Sequence, residues 1–231
     1  RRLLRNPLVL IGLLILAAVG LFLRVMTGPF GDVAGQWTQI IVLISIASML
    51  LGAFAAIGQS NIKRLMAYSS IGHVGYALIG LAAGTEEGIR GVLVYMAIYI
   101  VMNAGTFGCI IAMRRKGRAS ERIDDLAGLG ATAPGLAAAL SVFMFSMAGI
   151  PPLAGFFGKF YVFMAAVQAG LWPLAVIGVL SSVVSAFYYL RIVKVMYFDP
   201  AQPAFDPRPA SVGVVVAGTM IFTALFALAP A

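Results

Sequence analysis

The chain has 231 residues, of which 61% are hydrophobic and 10% charged, and its mean hydropathy is +1.00. A soluble domain carries roughly 25% charged residues, so the composition excludes that class. The net charge of +8 could suit a nucleic-acid-binding protein. However, the basic residues stand in short clusters between apolar runs, which excludes nucleic acid as a partner. We therefore expect an integral membrane protein, and its single cysteine, Cys109, allows no internal disulfide.

The apolar runs predict transmembrane helices, because each is about as long as the roughly 20 helical residues that cross a hydrocarbon core. They lie at 7–26, 38–57, 63–83, 89–113, 172–197 and 210–230. A longer apolar stretch, 132–169, is interrupted at 149–152 by Gly-Ile-Pro-Pro, and two prolines in a row break a helix. The first residue is Arg1 rather than Met, so we expect the chain to be a piece of a longer protein.

Two interpretations of the 132–169 stretch compete: a tight hairpin of two crossings, or one discontinuous helix. With one discontinuous crossing, the loops on one side hold Arg24 and Arg90 with three acidic residues. The loops on the other side hold Arg1, Arg2, Arg5, Lys63, Arg64, Arg114, Arg115, Lys116, Arg118, Arg122, Arg191, Lys194 and Arg208. This distribution follows the positive-inside rule, and a hairpin would spoil it. The sequence thus predicts seven crossings with the start of the chain and the basic loops cytoplasmic.

Lys159 is the first candidate functional residue. It follows the helix break, in Gly155-Phe156-Phe157-Gly158-Lys159, with apolar sequence on both sides. A charge at that depth is costly, so we expect it to face the protein interior or water and to be functional. A lysine can also lose its proton when desolvated, which suits a residue that takes up and releases protons. The alternative is a lysine whose ammonium group reaches a membrane interface.

Three other helices carry polar residues at helical spacing. The three sets are Ser69, His73 and Tyr76; Tyr95, Tyr99, Asn103 and Thr106; and Ser181, Ser185 and Tyr188. Together with Lys159 they could line a hydrated proton path. Each set alone could equally serve to join helices by hydrogen bonds. His73 is the only histidine and titrates near neutral pH, which favours a functional role for it.

Lys63, at the start of a predicted helix, is a further candidate for proton translocation, with an interfacial anchor as the alternative. The basic loop at 114–131 is expected to be a cytoplasmic connector that sets the topology, or to touch anionic lipid. The sequence has no phosphate-binding glycine loop, no metal-ligand cluster and no nucleophile–base pair. We therefore expect no metal or cofactor site in this chain.

Two stretches are distinctive enough to indicate a family: residues 58–76, which begin Gly58-Gln59-Ser60-Asn61-Ile62-Lys63-Arg64, and residues 148–161, with the helix break and Lys159. They closely resemble the antiporter-like membrane subunits of respiratory complex I, in their subunit N branch. Their richness in alanine and glycine is similar to that of bacterial members. The resemblance runs from about Ala17 to near the C-terminus. Residues 1–16 do not share it, and Ile15 stands where the family has a lysine.

The resemblance implies an all-α fold whose second inverted repeat, with one discontinuous helix, and terminal helix are present here. The expected units are an atypical first transmembrane helix at 1–26, a five-helix repeat at 27–197 and a terminal helix at 198–231. Lys159 then corresponds to the family's ionisable residue on the discontinuous helix. The family's first repeat is not in this sequence.

The leading functional hypothesis is a proton-translocating membrane subunit, or fragment, of NADH:quinone oxidoreductase in a bacterial inner membrane. Lys159 would be the terminal proton-loading site, with His73 and Tyr99 as relay elements. NADH, FMN, iron–sulfur clusters and quinone are expected in other subunits, and other membrane subunits and the lipid bilayer are the expected partners. The alternatives are a subunit of a cation/proton antiporter or membrane hydrogenase, and a membrane scaffold that transports nothing.

Overall fold

The computed structural model describes the backbone of residues 7–228 and the side chains of residues 14–228. This part of the chain is almost entirely helical. The helices are α1 (Pro7–Thr27), α2 (Ala34–Ile57), α3 (Ile62–Ala83), α4 (Glu86–Ala112), α5 (Leu129–Thr132), α6 (Pro134–Ala148), α7 (Ala154–Gln168), α8 (Trp172–Phe198) and α9 (Ala210–Leu225). Arg1, Arg2 and Arg5 of the charge count, and residues 229 and 230 of the last predicted span, lie outside the described residues.

Five segments within the described residues are long and apolar enough to cross a membrane: Gly31–Ile57, Ile62–Ala83, Glu86–Ala112, Trp172–Phe198 and Ala210–Leu228. Each corresponds to a predicted span, although Gly31–Ile57 and Glu86–Ala112 begin several residues earlier than predicted. The all-α membrane fold is thereby confirmed. The fifteen-residue α6 is a shorter apolar helix.

The ends of α3 and α4 are set by residues that suit helix termini. The Asn61 side chain accepts hydrogen bonds from the backbone N–H of Lys63 and Arg64, at 2.9 and 3.1 Å, and so starts α3. Gly84 ends α3 with a positive φ of 66°. Thr85 then caps α4 by accepting from Gly88 N at 3.0 Å. The break between these two long helices is therefore explained by the capping residues themselves, and packing against other helices is not needed to explain it.

The helix break after α6 is also visible in its hydrogen bonds. Gly149 takes a φ of 89°, and the N–H groups of Gly149 and Ile150 both donate to Phe145 O, which closes the last turn of α6. The peptide bond between Pro151 and Pro152 is cis. The two prolines offer no N–H, so α6 cannot continue through them. The chain resumes as α7 five residues after Gly149.

The two short helices lie end to end along α4. A Cβ at Gly91 would lie 3.5 Å from Cβ of Tyr161, and one at Gly158 would lie 2.9 Å from Tyr95. Further along α4, the Ser146 hydroxyl contacts Met102 Sδ at 2.8 Å, and Gly105 faces Phe143. From residue 91 to residue 105 of α4, the contacted residues thus run backwards along the sequence, first through α7 and then through α6. The two helices do not lie side by side as a hairpin would.

The basic loop between α4 and α5 packs on the segment between α8 and α9. It contains a short antiparallel hairpin, β1 (Arg114–Arg115) and β2 (Arg118–Ala119), within the 114–131 segment that was predicted to be a connector. Asp206 closes this hairpin: its N–H donates to Arg114 O at 2.7 Å and its carboxylate accepts from the N–H groups of Lys116 and Gly117. These contacts bring the two segments to the same end of the bundle.

Candidate functional site

Lys159 is buried at the junction of α6 and α7, with 5% of its surface exposed. Its ammonium group donates to Met147 O at 2.9 Å, to Ala148 O at 3.2 Å and to Ser182 Oγ at 2.7 Å. Both carbonyls belong to the last turn of α6, where no helical N–H follows to pair with them. The negative end of the α6 dipole therefore points at the lysine. The break in the helix supplies the groups that solvate this cation.

Lys159 has no carboxylate partner among the described residues. The four ion pairs recorded there involve Lys63, Arg115, Arg122 and Lys194. All eight acidic residues of the chain lie in loops or at helix ends. The remaining contact is with an aromatic ring, because Nζ lies over Tyr76 at 4.9 Å from the ring centroid. The charge is thus balanced by dipoles and a ring face.

A groove of about 390 Å³ runs between α7 and α8 beside Lys159. Apart from Lys159 and Ser182, its walls are apolar, with Phe156, Phe160 and Val183 among them. The Ser182 hydroxyl, which accepts from Lys159, also lies 3.4 Å from Ala148 O. A hydroxyl can both accept and donate, so Ser182 is suited to exchange a proton with the ammonium group.

His73 forms a second buried cluster, in which both ring nitrogens bond to tyrosine hydroxyls. Nδ1 lies 2.7 Å from the hydroxyl of Tyr95 on α4, and Nε2 lies 3.0 Å from that of Tyr189 on α8. The Tyr189 hydroxyl continues to Ser69 Oγ at 2.5 Å. Three helices therefore contribute to one hydrogen-bonded row, Tyr95–His73–Tyr189–Ser69, which we call the His73 row.

Tyr99 adjoins this row without belonging to it. Its ring stacks on His73, with 4.7 Å between the ring centroids, but its hydroxyl donates to Ser70 Oγ at 2.7 Å. Ser70 in turn donates to Met66 O at 2.8 Å. The hydrogen bond from the tyrosine face of α4 to His73 thus comes from Tyr95, one turn before Tyr99.

Lys63 lies apart from both clusters, at the end of α3 that faces the basic loop. Its ammonium group pairs with Glu121 at 2.6 Å, and both side chains are partly exposed. Hydrogen bonds from Lys63 and then from Asn61 lower the pKa of the Glu121 carboxyl. The backbone supports the same contact, since Ile62 N donates to Glu121 O at 2.8 Å. In this structure Lys63 fastens the loop to α3.

Ser182 and Tyr189 of α8 bond to Lys159 and His73, but neither was among the residues predicted to form the polar face of that helix. The predicted set was Ser181, Ser185 and Tyr188, which are also buried. Ser182 and Tyr189 stand one residue later, at the i, i+7 spacing that marks one helical face. That spacing is the signal that could have revealed them. The described residues contain no group of three or more His, Cys, Asp or Glu side chains that could hold a metal ion.

A family model described as "NADH:quinone oxidoreductase/Mrp antiporter, TM" matches residues 6–185. The expectation that residues 1–16 depart from the family is therefore wrong for residues 6–16. That stretch has the apolar character of a membrane helix.

Curated relatives agree with the family model. NADH-quinone oxidoreductase subunit N of Rhodospirillum rubrum is 69% identical over 216 residues, which are 93% of this chain and 44% of the relative. Subunit N of Granulibacter bethesdensis is 63% identical over 93% of this chain and 46% of the relative. The chain thus spans less than half the length of the curated relatives it matches.

Solved structures share the fold. Respiratory complex I from Thermus thermophilus with bound aureothin aligns with a TM-score of 0.74 and 31% identity, over 83% of this chain and 44% of the matched chain. The Mrp complex from Dietzia sp. aligns with a TM-score of 0.81 over 91% of this chain and 48% of the matched chain, and at 21% identity this likeness concerns the fold alone. The break, the buried lysine and these matches agree, and the chain belongs to the NADH:quinone oxidoreductase/Mrp antiporter family of membrane proteins, similar within it to subunit N.

Proposed function

We propose that the chain is part of a proton-translocating membrane subunit of a bacterial NADH:quinone oxidoreductase. The observation that carries the proposal is Lys159, an ammonium group buried beside a helix break and held by the last carbonyls of α6. An ionisable group at this depth is costly to a membrane protein and marks ion or proton pathways. Discontinuous helices are also the usual setting of substrate and ion sites in secondary transporters.

In this proposal Lys159 is the terminal proton-loading site, and His73 and Tyr99 are relay elements. Hydroxyl and imidazole groups within hydrogen-bond distance can pass a proton along a row, since each both donates and accepts. Lys63 is the candidate nearest the basic loop, and its exposed ion pair favours the anchoring role over transport. The chain itself carries out no redox reaction, and NADH, FMN, iron–sulfur clusters and quinone bind to other subunits.

The proposed membrane topology has seven crossings, with α6 and α7 together making one. At about 1.5 Å per residue, each of these fifteen-residue helices is about 22 Å long, shorter than a hydrocarbon core of roughly 30 Å. Their end-to-end placement along α4 supports one crossing. With the start of the chain cytoplasmic, the basic loops also lie cytoplasmic, as the positive-inside rule requires.

The experiment is proton transport by the assembled complex in liposomes, with Lys159→Ala, Lys159→Glu and the control Lys194→Ala. We expect Lys159→Ala to lower the protons moved per NADH oxidised severalfold. Lys159→Glu should retain more transport than Lys159→Ala, because a carboxyl group also titrates. Lys194 is exposed at the end of α8, so its replacement should have little effect. Wild-type transport by Lys159→Ala would instead favour a membrane scaffold, and dependence on sodium would favour a cation/proton antiporter.

A further inference from the structure

Tyr76 lies between the two buried polar clusters. It projects from α3 with 2% of its surface exposed, and one face of its ring receives the ammonium group of Lys159 at 4.9 Å from the centroid. The same ring meets the imidazole of His73 in a T-shaped contact, with 6.0 Å between centroids and 82° between planes. No hydrogen bond recorded among the described residues links Lys159 to the His73 row. The Tyr76 ring is the contact that the two clusters share.

The ring is fixed by contacts from several helices. Ser181 Oγ lies 3.1 Å from Met49 O and 3.1 Å from the Tyr76 hydroxyl. Since Ser181 has one hydroxyl hydrogen and donates it to the carbonyl, Tyr76 must be the donor in the second bond. Phe163 of α7 packs against the ring at 87°. Helices α2, α7 and α8 thus determine where the ring of this α3 residue stands.

The electrostatics of the site give this ring an effect on Lys159. The face of an aromatic ring carries partial negative charge, and its attraction for a cation grows when both are removed from water. Lys159 and Tyr76 are both buried, and Lys159 has no carboxylate partner in the part of the chain that the structure describes. The ring therefore adds to the two α6 carbonyls in stabilising the ammonium form, and it has no such effect on the neutral amine.

We infer that Tyr76 is a positioning residue for Lys159: its ring face holds the ammonium group against the end of α6 and keeps it apart from the His73 row. The inference rests on the proposed function, because it concerns how the same lysine is held when it carries a proton. Tyr76 acts through Lys159, and its own hydroxyl serves to anchor the ring.

The test replaces Tyr76 in the assembled complex and measures protons moved per NADH oxidised in liposomes. Tyr76→Phe keeps the ring face, so we expect transport within about twofold of wild type. Phenylalanines with one, two and three ring fluorines at position 76 progressively weaken the cation attraction with little change in size. We expect transport to fall at each step, by about tenfold over the series, as complexes with a protonated Lys159 become rarer. Tyr76→Leu should match the trifluorinated ring.

The matched control is the same fluorinated series at Phe143. Phe143 is fully buried and faces Gly105 of α4, and no cation contact is recorded for it among the described residues. A purely structural role for Tyr76 would give the same flat response at positions 76 and 143, and that result would overturn the inference. If Lys159→Ala is impaired while the series at 76 is flat, only the inference fails. If Lys159→Ala transports normally, the proposed function fails as well. Subunit content of the purified complex checks assembly.

Discussion

His73 has two hydrogen-bonding partners of the same chemical kind, so its ring can donate through either nitrogen. Each phenol can donate or accept, so two arrangements are available: Nδ1 donates to Tyr95 while Tyr189 donates to Nε2, or the reverse. Exchange between them by proton transfer leaves the row neutral only when one end takes up a proton as the other end releases one. A proton that enters at one end can thus be matched by one that leaves at the other.

The row depends on the Tyr189 hydroxyl, which bonds both His73 and Ser69. Tyr189→Phe removes this hydroxyl and keeps the ring, so we expect normal assembly of the complex. We expect proton transport to fall about five- to tenfold, which corresponds to the free energy of about one buried hydrogen bond. Proton transport by the assembled complex in liposomes is the measurement. Tyr197→Phe on the same helix, at a half-exposed position, is the control and should be neutral. Equal activities for the two variants would contradict a role for the row.

Individual residues differ in how far the sequence could predict their place. Lys159 and His73 stand out because an ionisable residue in an apolar run is rare and costly. Ser182 and Tyr189 do not stand out, since α8 is polar at 181, 182, 185, 188 and 189 and its face toward α3 and α7 is decided only by packing. Neighbouring residues on a helix point about 100° apart, so an offset of one residue changes the partner helix.

At the level of the helices, close approach between α2 and α3 requires glycine. A Cβ at Gly52 would lie 2.5 Å from Gly72 N and 2.7 Å from Tyr68 O, both backbone atoms that cannot move independently. Small residues at such crossings let the two backbones pack directly, which is how membrane helices gain stability without a hydrophobic driving force. The α2–α3 pair in turn supports Tyr76 and His73 on α3.

Gly52→Ala should therefore destabilise the bundle by about 1–3 kcal/mol, the usual cost of overpacking. Gly218→Ala is the matched control: it is the same substitution in α9, where nothing lies within 4 Å of the new Cβ. Alanine is the better helix former, so this control should be neutral or stabilising by about 0.5–1 kcal/mol. Thermal unfolding in detergent compares the two. A wild-type melting temperature for Gly52→Ala would show that the helices can separate at little cost.

The helices were predictable and the loops were not, for physical reasons. Apolar length and the double proline are local properties, so the spans and the break at 149–152 follow from the sequence itself. The hairpin at 114–119 depends on Asp206, which lies about ninety residues later. The Asp206 carboxylate accepts hydrogen bonds from two N–H groups of the hairpin. A cluster of basic residues indicates the membrane topology, but it does not predict a distant partner such as Asp206.

Across the whole molecule, the basic loops gather at one end. The hairpin binds the segment around Asp206, Glu121 binds the start of α3, and Gly128 N donates to Val195 O near the end of α8. These contacts place the C-terminal end of α8 beside the C-terminal end of α4. A chain in which α6 and α7 formed a hairpin of two crossings would put those two ends on opposite sides of the membrane.

Variants with a single added cysteine test this arrangement, because Cys109 is buried and should not react with a thiol reagent. We expect a membrane-impermeant thiol reagent to label Arg118→Cys and Gln202→Cys from the cytoplasmic side and Ala169→Cys from the opposite side. All three positions are exposed. Labelling of 118 and 202 from opposite sides would require the hairpin and overturn the seven-crossing topology. The parent chain, with Cys109 alone, should remain unlabelled from either side.

The burial of Lys159 also bears on how a membrane voltage would act on it. A proton that binds there carries one positive charge from the water into the bundle interior. Moving one charge across the whole membrane involves about 2.3 kcal/mol per 100 mV. At a site near mid-depth, about half of that bears on each protonation. For a proton-loading Lys159, as proposed above, a change of about 100 mV would therefore shift the free energy of protonation about as much as a change of one pH unit, which would make the broken helix a voltage-sensitive element.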